Sequence, residues 1–450
     1  MISTPRLRRL RLRNIRCFEE IDIDFTDQAT GNAVSWAMIL GDNSSGKSTV
    51  LKAIALALAP LKEANALFES DSRSEWLRRE TGEGSIEVEL DSGPRQLRIV
   101  RESYGERIDN SASFASQSPI EEPLLVCGYG ASRRSFGTQS HNGYSVRGAV
   151  ATLFNPDAPL QNPELSLRRL TSSAQAGEED LLLRIDRVLD LPEGSTQLGP
   201  EGLAIKGPWG SFLPVSSLSD GYRATLSWIL DLLGWALLRD RGIPDSLLEG
   251  LVLLDEIEQH LHPRWQRRIL GQLRKQFPGI QFVVTTHAPL CVTGTTDLED
   301  AEVNLVHLGW NGPAVEARGG LKPPRGQRAD QILTSYLFGL GTTTDDQTKQ
   351  EIHRLSELLG RSSQELSTAE KEEIEKLRTE LDSRLGPHET KLEAAVASKM
   401  DHALDHVLKE SVQARLDEMR GPVALSAAAD FEARRQLKEL LAPEPTPTAR

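Results

Sequence analysis

The chain has 450 residues, of which 38% are apolar and 26% are charged, and its formal net charge at pH 7 is −13. This length predicts two or three domains. No apolar run is long enough to cross a bilayer. The net negative charge excludes a chain that is polycationic throughout. The basic segment Met1–Arg16 lacks the apolar stretch of a secretory signal. The three cysteines form no CxxC pair, which fits a reducing compartment. A cytoplasmic protein without membrane contact is expected.

Strands and helices are predicted to alternate over the first 320 residues. The predicted strands are Leu7–Phe18, Ile21–Phe25, Trp36–Leu40, Ser85–Leu90, Gln96–Arg101, Leu124–Gly128, Leu251–Leu254 and Phe282–Thr286. The predicted helices are Ser48–Leu58, most of 160–192, Ala224–Leu238 and Arg264–Phe277. This alternation predicts an α/β fold, in which helices cover a mostly parallel sheet.

The pattern changes beyond about residue 325. A short helix is predicted over Gln327–Phe338, followed by long charged helices over Asp345–Arg384 and Glu389–Met419. The tail 442–450 contains three prolines and is predicted to be disordered. The predicted domains are therefore 1–320, with a helical lobe at about 150–240, a helical interaction region over 321–441, and the tail.

The sequence GDNSSGKST at 41–49 lies between an apolar strand and an apolar helix. Its spacing is that of a P-loop, whose backbone N–H groups cradle phosphates while the lysine reaches the outer phosphates. A nucleotide is therefore the expected ligand. The candidate binding residues are Gly41, Asn43, Ser44, Ser45, Gly46, Lys47, Ser48 and Thr49.

Two adjacent acids, Asp255 and Glu256, end the apolar strand Gly250–Leu254. Beside a P-loop, Asp255 can hold Mg²⁺ together with Ser48. Glu256 is then placed to act as the base that orients the attacking water. The alternative is a strand end that carries two solvated acids.

The segment Ser216–Arg223 precedes the apolar helix Ala224–Leu238. Ser219 and Gly221 at a helix start can bind an anion through a hydroxyl and backbone N–H groups. We expect them to contact the nucleotide of another subunit. The alternative is a simple N-cap of the helix.

His287 follows the strand Phe282–Thr286 and resembles the switch histidine that senses a γ-phosphate. The alternative is a histidine that caps a strand end.

A fifth motif, Glu258–Pro263, follows Glu256 and resembles the D-loop region of SMC- and RecF-like ATPases. Together these five ordered motifs resemble the ABC-type ATPases of the SMC, RecF and overcoming-lysogenization-defect group over residues 5–310. The resemblance implies a P-loop NTPase with an ABC-type head, a mixed sheet and a helical lobe, and it implies ATP and Mg²⁺ as ligands. The opening Leu12–Phe18 is similar to the NFR-F opening of that group, which would place Arg16 near the phosphates. The LS-x-G spacing of Leu218–Gly221 resembles the ABC-type signature of that group, and Asp220 departs from its LSGG form. Gln161 is the candidate for the glutamine that binds Mg²⁺ in that group.

Two further stretches, Gly128–Arg133 and Arg325–Leu340, look like segments of prokaryotic antiphage ATPases. They resemble the ATPase of Septu-type systems, alone or attached to a retron, and that family works with a separate HNH nuclease. Residues 310–450 show no motif of a Toprim or HNH nuclease. The resemblance implies a slow ATPase, a homodimer or higher assembly closed around ATP, and a partner nuclease.

A DNA-repair or chromosome ATPase that binds DNA directly is the alternative. Its DNA contacts would come from an arginine cluster near the N-terminus, which comprises Arg6, Arg8, Arg9, Arg11, Arg13 and Arg16. The other interpretation of this cluster is the solvated face of a first strand. A transporter ATPase fits less well, because the chain lacks a membrane-coupling context.

Overall fold

A computed structural model of the chain describes residues 4–71, 75–109, 124–133, 141–162, 165, 178–199, 202–207, 210–240, 248–340, 343–359 and 367–385. The chain divides into two compact units, Met1–Thr343 and Thr344–Arg450. The sequence predicts a boundary after residue 320, whereas this division falls after Thr343. The reason is that Ile332 and Leu337 are buried in the core of the first unit. The predicted tail 442–450 and the predicted helix Glu389–Met419 lie outside the described residues.

The strands in chain order are β1 (Leu7–Ile15), β2 (Phe18–Asp24), β3 (Trp36–Gly41), β4 (Glu83–Leu90), β5 (Gly93–Glu102), β6 (Gly105–Ile108), β7 (Val126–Tyr129), β8 (Thr196–Gly199), β9 (Gly202–Lys206), β10 (Phe212–Pro214), β11 (Gly250–Leu254), β12 (Ile280–Thr285), β13 (Val303–Asn311) and β14 (Ala314–Leu321). The helices are α1 (Lys47–Leu58), α2 (Leu61–Ser70), α3 (Val146–Ala149), α4 (Ala151–Phe154), α5 (Glu178–Val188), α6 (Asp220–Asp240), α7 (Pro263–Gln276), α8 (Pro289–Gly294), α9 (Ala329–Thr334), α10 (Asp346–Leu359) and α11 (Thr368–Leu385).

A six-stranded sheet with the order β14-β13-β3-β12-β11-β7 forms the centre of the first unit. Its pairs are parallel except for the antiparallel pair of β13 and β14, so the sheet is mixed, as the sequence predicts. Strands β11 and β12 are buried along their whole length, which continuous apolar strands achieve when helices cover both faces of a sheet. The carboxyl ends of β3, β11 and β12 meet at one edge, where ligands of such sheets bind.

An antiparallel sheet with the order β2-β1-β4-β5-β6 forms a second layer. Leu10, Leu12 and Ile15 of β1 are buried in the core that this sheet shares with α1. A third sheet, β10-β9-β8, lies in the region predicted as a helical lobe. The described part of this lobe therefore combines strands with α5 and α6.

In the second unit, α10 and α11 pack against each other. Arg354 on α10 donates a hydrogen bond of 3.0 Å to Glu373 on α11, and Leu358, Ile374 and Leu381 are buried. Among the described helices of both units, none has the length and apolar character needed to cross a membrane.

The aromatic pair Trp36 and Phe282 joins β3 to β12, with ring centroids 4.3 Å apart and both side chains fully buried. We expect Phe282→Ala to lower the free energy of unfolding by about 3–5 kcal/mol, because it leaves a cavity under the stacked Trp36 ring. Urea unfolding measures this loss. Phe212→Ala is the control, since Phe212 is 38% exposed and its truncation should cost far less. Equal losses of unfolding free energy in the two variants would contradict the stabilising role of the stacked pair.

Candidate nucleotide-binding site

The loop after β3 requires glycine at two positions. Gly41 has a φ of +146°, and a Cβ there would meet the carbonyl oxygen of Leu308 at 2.3 Å. Gly46 has a φ of +90°, and a Cβ there would meet the ring of Phe18 at 2.3 Å. Other residues would be strained in this backbone and would displace their neighbours. The two glycines therefore fix the path of the loop into α1.

Lys47 and Ser45 leave the loop ready for an anion. The Lys47 amino group donates to the carbonyl oxygens of Gly41 at 2.8 Å and Asp42 at 2.7 Å. Burial lowers the pKa of Lys47, and nearby carboxylates oppose this change. The Ser45 hydroxyl is buried and has no hydrogen-bond partner among the described residues. A buried hydroxyl without a partner beside a buried cation fits the phosphates that the spacing predicts.

Asp255 links the end of β11 to the first turn of α1 and to the end of β12. Its Oδ2 accepts a hydrogen bond from the Ser48 hydroxyl at 2.7 Å, and its Oδ1 accepts one from the Thr285 hydroxyl at 2.6 Å. The sequence predicts the pair of Ser48 and Asp255, which lie 207 positions apart. Carboxylate and hydroxyl oxygens are the ligands that Mg²⁺ prefers, so the pair fits this ion.

Glu256 adopts a left-handed backbone with a φ of +48°. Its N–H donates to the Thr285 hydroxyl at 2.8 Å. Burial raises the pKa of the Glu256 carboxyl, and the charge of Asp255 raises it further. The charges of His287 and Arg133 lower it in part. A carboxylate with a raised pKa at the mouth of a phosphate loop has the character of a general base.

His287 lies beside this carboxylate, directly after β12. Its backbone N–H donates to Glu258 Oε1 at 2.6 Å, so a second acid of the β11 loop holds the histidine. The structure thus brings Lys47, Ser48, Asp255, Glu256 and His287 to one edge of the sheet, as the sequence predicts. Their catalytic roles remain predictions.

Ser219 and Gly221 lie at the start of α6. Ser219 is exposed. The side-chain hydrogen bonds that Lys47, Ser48 and Asp255 make in the described part of the chain involve neither Ser219 nor Gly221. A Cβ at Gly221 would meet the carbonyl oxygen of His260 at 2.5 Å, so close backbone contact within the chain also requires this glycine.

Arg16 lies against the first turn of α1. Its guanidinium contacts the Asp71 carboxylate at 2.5 Å and the Thr49 hydroxyl at 3.4 Å, and it stacks on Trp76 at 4.2 Å from the ring centroid. Lys52 also contacts Asp71, at 2.9 Å. Arg16 is therefore next to the phosphate loop but held by a buried acid.

Gln161 is attached to α6, and its role as a metal ligand stays a prediction. Its backbone N–H donates to Asp231 Oδ1 at 2.7 Å, which attaches it to α6. Its side-chain amide nitrogen is buried without a partner among the described residues and makes no hydrogen bond to Ser48 or Asp255. The sequence could not reveal the position of Gln161, because that position depends on a contact with Asp231, which lies 70 positions away.

Two residues of the site were not among the candidates from sequence. Thr285 connects Asp255 to Glu256 through its hydroxyl, and Arg133 is 4% exposed and donates to the backbone carbonyls of both acids. The signal for Arg133 was the stretch Gly128–Arg133, which in the sequence carries only a family resemblance. Thr285 gave no signal beyond its place at a strand end.

The arginine cluster at the N-terminus is largely paired with acids of its own chain. Its ion pairs are Arg8 with Asp91, Arg9 with Asp22 and Asp24, Arg11 with Asp22 and Glu87, and Arg16 with Asp71. Acids that already face these arginines would compete with DNA phosphates. These ion pairs favour the interpretation of the cluster as the solvated face of a strand over its interpretation as a phosphate-binding surface.

Comparisons with known proteins identify the kind of domain. Residues 173–292 match the family described as "AAA domain, putative AbiEii toxin, Type IV TA system", and residues 9–123 match the family "AAA domain". The chain is 31% identical to Septu protein PtuA of Bacillus mycoides (strain KBAB4) over 385 residues, which cover 83% of this chain and 50% of that protein. The chain thus spans about half the length of this relative.

Shorter stretches match retron ATPases. The chain is 44% identical to the Retron Ec83 probable ATPase of Escherichia coli over 78 residues, which cover 17% of this chain and 14% of that protein. It is 34% identical to the Retron Vc95 probable ATPase of Vibrio cholerae over 96 residues, which cover 21% and 19%. Among solved structures, the SMC head domain of Thermotoga maritima covers 70% of this chain and 98% of its own length, with a TM-score of 0.39 and 16% identity.

Gly46→Ala tests the phosphate loop. We expect it to weaken ATP binding at least about tenfold, because the new methyl group would displace Phe18 and the loop together. Gly312→Ala is the matched control, since Gly312 has a φ of +61° but open space around it. Titration with a fluorescent ATP analogue compares the two variants. Equal ATP affinities in both would contradict the role of this loop.

Asp231→Asn tests the buried acid beside Gln161. Burial raises the pKa of Asp231 to about 7, above its ordinary value of 3.8, so its contribution to stability is lost as the pH rises through 7. Between pH 5 and pH 8 the wild type should lose about 2–3 kcal/mol of unfolding free energy that the variant retains. Urea unfolding at both values measures this. The exposed Asp157→Asn should behave like the wild type, and an unchanged pH dependence in Asp231→Asn would reject the prediction.

Proposed function

Because the chain is a homologue of Septu protein PtuA and of the retron ATPases, we propose that it is the ATPase of an antiphage defence complex. In this proposal it binds and slowly hydrolyses ATP, dimerises around the nucleotide, and controls a separate nuclease of the HNH type. The observation that carries the proposal is the hydrogen bond of 2.7 Å between Ser48 and Asp255, with Glu256 directly beside it.

The residues have separate tasks in ATP hydrolysis. The Lys47 amino group leaves its hydrogen bonds to the two loop carbonyl oxygens and binds the outer phosphates instead. The N–H groups of the loop hold the rest of the phosphate chain. Ser48 and Asp255 would hold Mg²⁺, which offsets the charge that develops on the phosphates. Glu256 accepts the proton of the attacking water. His287 responds to the γ-phosphate, because it lies beside Glu256 at the end of β12.

The signature residues Ser219 and Gly221 complete the site of a second copy. Ser219 is exposed, so its hydroxyl is available to another subunit. The contact between this serine and the γ-phosphate would be lost on hydrolysis. Nucleotide state then sets whether the dimer is closed.

The region from residue 321 is proposed to dock the nuclease or another copy of the chain. The described helices α10 and α11 are highly charged on their outer faces and bury few apolar residues against each other. Direct DNA binding is less well supported, since acids of the same chain pair with most arginines of the N-terminal cluster.

Glu256→Gln tests the proposal. The amide cannot accept a proton from water, so we expect ATP to stay bound and the closed dimer to accumulate. Native mass spectrometry of the chain, co-expressed with the product of its adjacent gene, measures the assembly with and without ATP. Glu299→Gln is the control, because Glu299 is exposed and remote from the loop in sequence.

A nuclease that co-purifies and whose activity follows the nucleotide state supports the defence role. A chain that stays monomeric with ATP, purifies alone and is stimulated by DNA contradicts it. That result would favour a repair ATPase.

A further inference from the structure

The Arg133 guanidinium lies buried directly behind the two acids that follow β11. It donates hydrogen bonds to the carbonyl oxygens of Asp255 at 2.6 Å, Glu256 at 2.9 Å and Gly130 at 3.1 Å. Its side chain makes no hydrogen bond to a carboxylate among the described residues. A buried cation that binds backbone oxygens fixes the course of the backbone, which an ordinary surface ion pair does not do.

Arg133 keeps its charge at this position. Burial lowers its pKa to about 10, and the carboxylates of Asp255, Glu258 and Glu256 oppose this change. The guanidinium is therefore still protonated at neutral pH. The site thus contains a permanent positive charge that the sequence motifs did not predict.

The segment that carries Arg133 is held firmly. A Cβ at Gly130 would meet the carbonyl oxygen of Thr152 at 2.2 Å, so β7 and α4 are in close backbone contact. The Gly130 N–H donates to the Thr152 hydroxyl at 3.2 Å, and this hydroxyl donates to the Gly128 carbonyl at 3.0 Å. The backbone at Gly130 is therefore fixed by its contacts with Thr152. The guanidinium of Arg133 approaches the loop after β11 from a defined direction.

Glu256 needs such support because of its backbone. With a φ of +48° it occupies a conformation that non-glycine residues seldom adopt. Its N–H is held by Thr285 at 2.8 Å and its carbonyl by Arg133 at 2.9 Å. These two hydrogen bonds, one on each side of the strained residue, determine where its carboxylate points.

Arg133 also borders the helix that carries the signature residues. It lines a narrow cleft together with Thr225 and Trp228 of α6 and with Gln259 of the β11 loop. The Gln259 side-chain oxygen is buried without a partner in the described part of the chain. Arg133 thus lies where the loop of the catalytic acids meets the signature helix.

We propose that Arg133 is a positioning residue for ATP hydrolysis, which holds the carbonyls of Asp255 and Glu256 so that the Glu256 carboxylate faces the attacking water. This proposal rests on the ATPase activity proposed above. It assigns to the Gly128–Arg133 stretch a role in catalysis that acts through Glu256.

Arg133→Met provides the kinetic test. Methionine keeps much of the volume but donates no hydrogen bond, so kcat should fall about 100-fold while the ATP dissociation constant stays within about threefold. Arg133→Lys should recover only part of the loss, because an ammonium lacks the planar fork that spans both carbonyls. In a Glu256→Gln background, Arg133→Met should cause no further loss, since both changes remove the same function.

The matched control is Arg274→Met. Arg274 on α7 is half-buried and donates to Glu302 and to the Pro278 carbonyl, but it is not part of the site. It should lose stability in a thermal melt without losing kcat. If Arg274→Met and Arg133→Met lose kcat and stability to the same extent, Arg133 has only a structural role and the proposal fails.

Hydrogen–deuterium exchange supplies a test that needs no turnover. Amides of 255–259 should exchange faster in Arg133→Met than in the wild type, whereas those of Ile280–Thr285 should not change. Unchanged exchange at 255–259, or kcat equal to that of the wild type, would overturn the proposal. A wild-type chain that hydrolyses no ATP would refute the proposed function instead, and the exchange data would still decide whether Arg133 holds the loop.

Discussion

The site depends on the parallel pairing of β3, β12 and β11, whose carboxyl ends meet at one edge of the sheet. This pairing brings Ser48 to Asp255 across 207 positions of sequence, and it brings Thr285 to the other oxygen of the same carboxylate. The stacked rings of Trp36 and Phe282 fix the register below this edge. Any slip of one strand would turn its side chains to the opposite face and dismantle the site.

Charge balance is the second constraint. Three carboxylates, those of Asp255, Glu256 and Glu258, lie close enough to influence one another. Their mutual repulsion raises the pKa of Glu256 beyond the effect of burial, while Lys47 and Arg133 supply two buried cations nearby. Lys47 donates to two carbonyl oxygens of its own loop, so this cation is already desolvated where phosphates would bind. Preorganised charge of this kind needs little rearrangement when a substrate arrives.

Much of the site could be predicted from sequence because its motifs are local. The phosphate loop, the acidic pair and His287 are each encoded by a few consecutive residues at a strand end, and the strand order then follows from general rules. Arg133, Thr285 and Gln161 could not be placed, since their partners lie far away in the chain. The same holds for the arginine cluster, because its pairing with Asp91 and Glu87 arises only when β1 lies beside β4.

Tyr129 connects the sheet edge at Asp255 to helix α6. It is the last residue of β7, and its carbonyl accepts the Asp255 N–H at 2.8 Å, while its hydroxyl donates to Asp231 Oδ2 at 3.1 Å in the middle of α6. Asp231 in turn accepts from the backbone of Gln161, so one buried acid ties three segments together. Because buried hydrogen bonds are costly to leave unmade, α6 cannot shift against β7 without replacing these partners. The helix that begins with Ser219 and Gly221 and the strand end that carries Asp255 are therefore mechanically joined within one chain.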